Sequence, residues 1–467
     1  MTLRFVHQIR VRLARAGIGI AKTEPNIIQI SARNTSLMDP TSSQQSGSTR
    51  TGSLLVIFLT VFIDLLGFGI VLPLLPLYAD QYGTDPSGWV IGMLMASFSI
   101  MQFLFAPIWG SLSDRVGRRP IIMVGLAGSV IFYTLFGIAT IYESLTGLFI
   151  TRIGAGIAGA TIPTAQAYIA DTTDNENRAR GMALIGMAFG LGFTLGPLFA
   201  VFAVPSGEGN PGPGPGFVAA ALSAVALGLA IFKLPESLTP SSETANKKQW
   251  WKIGRWKLAL SSPAIKMLLA AFFVCIFAFA SFETTLSMLI KGSEDFENPP
   301  FKFSFKNVCW TFALIGLLVA IVQGGIVRPL SKHVSEKYLA IAGALIEVVG
   351  FALMAYAASF ASLPILFVSL VVIVCGYACL QPSLFSLLSR WSDPQKQGTV
   401  LGVGQSVNAL ARIFGSALGI PMLKAAFFLP FALPYVVGCV LMFCVGGFVF
   451  LAAASGKDFS ADPPPSR

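Results

Sequence analysis

Charge is what this chain most lacks. Only 12% of its 467 residues are Asp, Glu, Lys or Arg, while 54% are hydrophobic. A soluble domain carries roughly 25% charged residues, so a soluble fold is excluded. The mean hydropathy is +0.72, and the apolar residues gather into runs near the ~20 needed to cross a bilayer. Histidine is nearly absent, with two in the chain and no HExxH pair, which speaks against an intramembrane metalloenzyme. No GxxxxGK[ST] run is available to bind ATP and power transport. The six cysteines (Cys275, Cys309, Cys375, Cys379, Cys439, Cys444) have neither CxxC nor metal-site spacing. They read as packing or lipid-facing residues. Residues 1–50 lack the apolar core of a secretory signal. They are expected to be a disordered cytoplasmic tail, with a transit peptide as the other reading.

What is present is a series of twelve apolar spans. They lie near 53–79, 88–109, 120–142, 145–170, 180–204, 216–233, 264–290, 307–328, 338–359, 362–388, 398–423 and 428–454. Alternate loops are basic: Arg115, Arg118 and Arg119; Arg178 and Arg180; Lys247 to Lys257; Arg328 to Lys337; Arg390 and Lys396. The intervening loops are nearly free of Lys and Arg, except 291–306, where acids offset three lysines. The net charge of +10 is therefore a topology signal, not a nucleic-acid one. It places both termini in the cytoplasm. The run PGPGPG within 205–216 predicts a non-helical outward loop. Trp250, Trp251 and Trp256 among basic residues read as an interfacial helix.

These features divide the chain into a tail (1–52), a first six-helix half (53–233), a cytoplasmic linker (234–263), a second half (264–455) and a C-terminal tail (456–467). Gln102, Pro107 and Asp114 recur as Gln323, Pro329 and Glu336, and Gly159 to Gln166 recurs loosely as Gly376 to Gln381. The offset of about 215–222 residues suggests two parallel repeats. The expected fold is an all-α membrane protein of twelve transmembrane helices in two pseudo-symmetric halves.

Ionisable groups inside spans cost about 2.5–3.5 kcal/mol each at mid-membrane and need a reason to be there. Asp64 lies near mid-depth of span 1. It could carry a proton across, or simply hold helices together. Arg152 in span 4 keeps its charge and could modulate a carboxylate; otherwise it snorkels to the surface. Glu283 in span 7 could be a second proton or cargo group. Glu347 and Arg412 are candidates for a structural pair. Gln102, Gln166 and Gln381 could line a cavity or bridge helices. Gly154 to Gly159 is formally GxGxxG, but inside an apolar span it is no dinucleotide site.

The stretch Gly110-Ser111-Leu112-Ser113-Asp114-Arg115-Val116-Gly117-Arg118-Arg119-Pro120 sets four charges in eleven residues between two spans. The pattern resembles the signature loop between helices 2 and 3 of the major facilitator superfamily. Arg152 with its Gly/Ala run, and GLGFTLGP at Gly190 to Pro197, follow in the order found in its twelve-span drug:proton antiporters. FIDLLGFGIVLPLLP and RIGAGIAGATIPTAQAYIADTT look most like the tetracycline-resistance branch. The resemblance covers about residues 53–455.

It implies a cytoplasmic gate of Gly110, Asp114, Arg115, Gly117, Arg118, Arg119 and Asp171, in which Arg118 pairs with Asp171 and Asp114 meets the start of helix 11. It also implies an antiporter motif through Gly192, Gly196 and Pro197. Ala183 and Ala200 replace glycines of that motif. No acid lies between Val124 and Phe136, where tetracycline exporters carry one and Phe132 stands here, which argues against tetracycline as cargo. The function implied is proton-coupled export of a small amphipathic or drug-like molecule by alternating access. Asp64, Arg152 and Glu283 would serve coupling or cargo, with cargo held between helices 1, 4, 7 and 10. Uptake symport, metabolite exchange and a non-transporting receptor are the alternatives. The expected partners are cargo, protons and lipid; a monomer without cofactor or metal, in a bacterial inner membrane, completes the expectation.

Overall fold

The computed structural model describes residues 42–83, 85–173, 178–205, 210–238, 262–293, 296, 298–392, 397–425 and 428–455. Most of the expected tail 1–52, most of the linker 234–263 with its tryptophans, and residues 456–467 lie outside these. Among the described residues all regular structure is helical. Twelve helical stretches are long and apolar enough to span a membrane: Ser53–Tyr82, Trp89–Val116, Arg118–Ile141, Leu145–Thr172, Leu184–Ala203 and Gly214–Lys233, then Pro263–Lys291, Phe305–Leu330, Glu336–Phe360, Leu363–Arg390, Val400–Lys424 and Leu433–Ala454. They are numbered span 1 to span 12 in that order. Helix resumes at Gly214, slightly inside the expected loop, because Pro215 is tolerated in a first turn.

The two sets of six pack alike. Span 3 lies against spans 4 and 6, and span 9 lies against spans 10 and 12. Span 7 is the most enclosed, with 61% of its apolar window buried, against 28% for span 12. Span 7 is therefore a central element and span 12 a peripheral, lipid-facing one.

Three spans are irregular, and each irregularity sits at or just before a proline. A proline lacks the N–H that the carbonyl four residues earlier would accept from, and its ring crowds that carbonyl. Span 1 turns at Leu72–Leu74, then continues as the short helix Leu75–Tyr82, which contains Pro76. Span 4 tightens into a 3₁₀ turn at Gly159–Thr161, and Pro163 follows. Span 8 widens into a π segment at Val322–Val327 ahead of Pro329. Pro107, Pro197, Pro382 and Pro421 sit within continuous helices instead.

The halves meet through span 2 on span 11 and span 5 on span 8. These contacts concentrate away from the Arg-rich loops. A methyl group on Gly92 in span 2 would lie 2.3 Å from the Ala417 carbonyl of span 11. The Thr194 hydroxyl of span 5 donates to the Gly316 carbonyl of span 8 at 3.0 Å. Residues four apart share a helix face, so Gly190 and Gly186 continue the face of Thr194, and Gly324 continues that of Gly316. All three meet nothing within 4 Å among the described residues. The halves thus touch at one face and part toward the basic-loop face.

Candidate functional site

Arg152 is 2% exposed, so it does not snorkel. Its guanidinium lies over the Phe98 ring at 4.6 Å and the Phe68 ring at 5.5 Å. Its Nε and Nη1 have no hydrogen-bond partner. The small residues after it explain this placement. A side chain on Gly156 would strike the Phe98 carbonyl at 2.6 Å, so glycine there lets span 4 seat directly on span 2. The GxGxxG spacing is a packing device.

The aromatic surface continues across the molecule. Phe68 stands 4.7 Å from Phe98 and 5.6 Å from Phe193 of span 5, centroid to centroid. Phe193 in turn lies beneath the Arg412 guanidinium of span 11, at 5.4 Å. Three rings therefore run from one guanidinium to the other. Cation–π contacts contribute about 0.5–2 kcal/mol each, more when water is excluded. Arg412 Nη2 donates to Glu283 Oε2 of span 7 at 3.0 Å. The expected pairing of Arg412 with Glu347 is corrected by this contact. Glu347 is 1% exposed and packs instead under Gly376 of span 10, its Oε1 unpartnered. Sequence could not reveal this, because Glu283 and Arg412 are 129 residues apart.

Asp64 turns toward spans 3 and 6. Ser223 Oγ of span 6 donates to its Oδ1 at 3.2 Å, and no described basic side chain pairs with it. Tyr133 of span 3 is in electrostatic reach of both Asp64 and Arg152. Gln102 Nε2 donates to the Gly159 carbonyl at 3.2 Å. That is the carbonyl freed by Pro163, so Gln102 bridges spans 2 and 4. Gln166 and Gln381 are half-buried in spans 4 and 10. Gly192 and Gly196 press against Leu65 and Gly69 of span 1, and helix continues through Pro197. Their geometry is that of close packing.

At the basic loop, Arg118 reaches Asp114 at 2.5 Å and Asp171 at 3.0 Å, and donates to Ser113 Oγ at 2.7 Å. Gly110 is buried and Arg115 exposed. Asp114, 46% exposed, holds Arg118; residues 393–396, just before span 11, are not among those described. One partner went unforeseen. Glu236, beyond span 6, accepts from the backbone N–H groups of Arg118 and Arg119 at 2.9 and 3.2 Å. It caps the start of span 3 from a distance, where the helix dipole favours an anion. Gly117 has a φ of 114°, and a side chain there would meet Glu236 at 2.5 Å. Glu236→Gln is expected to lower the melting temperature of purified protein through loss of about 1 kcal/mol of capping; an unchanged melting temperature would remove the cap from the account.

The Major Facilitator Superfamily description matches residues 57–416. The chain belongs to the major facilitator superfamily. It is 30% identical over 395 residues to the tetracycline resistance protein, class C, of Escherichia coli, covering 83% of this chain and 94% of that one. It is also 30% identical over 423 residues to the major facilitator superfamily domain-containing protein 10 of Bos taurus, covering 80% and 88%. Among solved structures, it resembles that of the human organic anion transporter MFSD10, with a TM-score of 0.63 and 26% identity over 86% of this chain and 99% of that chain. The chain is thus a membrane transporter of small molecules by family and fold.

Proposed function

We propose that this transporter exports a small amphipathic anion in exchange for protons, by alternating access. The observation that carries the reading is Arg152. A buried guanidinium with two unpartnered nitrogens and an aromatic ring on each of two contacts offers charge, donors and apolar surface together. An aromatic molecule with a carboxylate or similar group satisfies all three. The likeness to tetracycline resistance proteins supports export. The likeness to an organic anion transporter supports the charge of the cargo.

Asp64 is the proposed proton carrier. Its neighbours are hydroxyls, and a hydroxyl donates to a carboxylate or accepts from the protonated acid. Either protonation state therefore keeps a hydrogen-bonding partner. Tyr133 connects its field to that of Arg152, so cargo at the guanidinium and a proton at Asp64 influence each other. In this reading the basic loops and both termini face the cytoplasm, and the present conformation is open to that side. Asp114, Arg118 and Asp171 then form the gate that rearranges when this side closes.

The test is flux in proteoliposomes holding an internal pH dye, under an imposed pH gradient, with a panel of amphipathic anions and cations. Cargo-triggered proton movement is expected for anions, and its loss in Asp64→Asn. Cargo movement without proton flux, or a fully active Asp64→Asn, would remove Asp64 and the coupling. Preference for cations would overturn the role given to Arg152.

A further inference from the structure

The face away from the basic loops holds an ion pair that joins the two halves. Asp80 lies on the short helix after the break in span 1, and Lys424 is the last residue of span 11. Lys424 Nζ stands 3.4 Å from Asp80 Oδ1, with the two side chains 3% and 6% exposed. Ser293, just past span 7, donates its hydroxyl to the same Asp80 oxygen at 2.7 Å. Lys424 Nζ also donates to the Asp85 carbonyl at 2.8 Å. The Asp85 carboxylate is itself held at the start of span 2, accepting from the Ile91 N–H and the Ser87 hydroxyl, each at 3.0 Å. Each half therefore contributes two residues: Asp80 and Asp85 from the first, Ser293 and Lys424 from the second.

The surroundings seal this cluster from water. Gly88 at the start of span 2 would meet Ile420 and Pro421 of span 11 within 2.9 Å if it bore a side chain, and Gly92 packs on Ala417. The cation also sits at a helix C-terminus, where the dipole favours it. We propose that Asp80 and Lys424 form a latch that holds this face shut, and that their separation is an obligatory step in opening it.

The physical argument is about the difference between the two states. Closed, each charge depends on the other, because neither has water. Open, water solvates both. Neutralising one partner strands the other only in the closed state, so it favours the open state selectively. Neutralising both removes the stranded charge and returns the balance toward closure. Ser293→Ala removes one hydrogen bond and strands nothing, so its effect has the same sign and is smaller.

The experiment is a distance measurement by electron–electron double resonance in lipid nanodiscs, without cargo or a proton gradient. Spin-labelled unnatural amino acids would replace Trp89 and Phe428, which are 49% and 80% exposed and belong to opposite halves. Asp80→Asn and Lys424→Met are each expected to raise the long-distance population about fivefold, the scale of a modest coupling energy. The double variant is expected to lie closer to the parent than either single one. Parental distributions in both single variants would overturn the latch, whatever their thermal stability. If a single variant fails to fold, a parental distribution in Ser293→Ala overturns it equally. Since no cargo is present, the result stands apart from the identity of the substrate and from proton coupling.

Discussion

Arg152→Ala is expected to reduce cargo flux by about 100-fold while leaving the protein as stable as the parent, or more stable. The loss follows from removing a charge-assisted contact worth roughly 1.5–3 kcal/mol, where each 1.4 kcal/mol is about tenfold. The stability follows from the opposite side of the same physics. A guanidinium at 2% exposure with two unpartnered nitrogens is a cost to the resting fold, and alanine relieves it. Arg152→Lys keeps the charge but loses the planar face that lies against Phe68 and Phe98, so an intermediate flux is expected. Flux and melting temperature, measured on the same preparations, check both halves of the statement. Normal flux in Arg152→Ala, or a large fall in its melting temperature, would show that the residue serves the fold instead.

The second large effect concerns Arg412 and Glu283. Breaking a buried ion pair by deleting one member costs about 3–5 kcal/mol. Arg412 is 28% exposed and Glu283 10%, so solvent offsets part of that, and a loss of about 2–3 kcal/mol is expected for Arg412→Ala. The double variant Glu283→Gln, Arg412→Gln leaves no stranded charge and is expected to recover most of the melting temperature. If flux stays absent in that recovered variant, the charges act in transport as well as in packing. A melting temperature for Arg412→Ala equal to the parent's would contradict the contact itself.

The sequence made the depth of each residue legible, but seldom its direction. Hydropathy placed twelve spans because a bilayer demands long apolar runs whatever their partners. The loop at Gly110 to Pro120 stood out because charge is rare elsewhere, and its Arg118 does lie on Asp171. Which way a side chain points around its helix is set by neighbours far along the chain. That is why Asp64 could be put at mid-membrane and not against Ser223, and why Arg412 was set beside Glu347 rather than Glu283. Phe68, Phe98 and Phe193 were invisible for a simpler reason: in a chain with 38 phenylalanines, three more apolar rings carry no signal. Asp80 and Lys424 were overlooked because charges at span ends ordinarily face water. The irregular turns were partly readable, since Pro76, Pro163 and Pro329 precede or follow them, yet Pro107 and Pro197 break nothing. A proline marks a weakened ladder, and packing decides whether the chain bends there.

The two faces of the molecule also differ in how they respond to dissolved ions. Mobile ions weaken attractions between charges that water can reach and hardly touch those sealed from it. Asp114 is 46% exposed and Asp171 29%, so the pairs around Arg118 soften as ionic strength rises. Asp80 and Lys424, at 6% and 3% exposed, keep nearly their full attraction. Electrolyte thus reaches only one end of the transporter, and its osmotic surroundings bias the conformational balance without touching the cargo site at all.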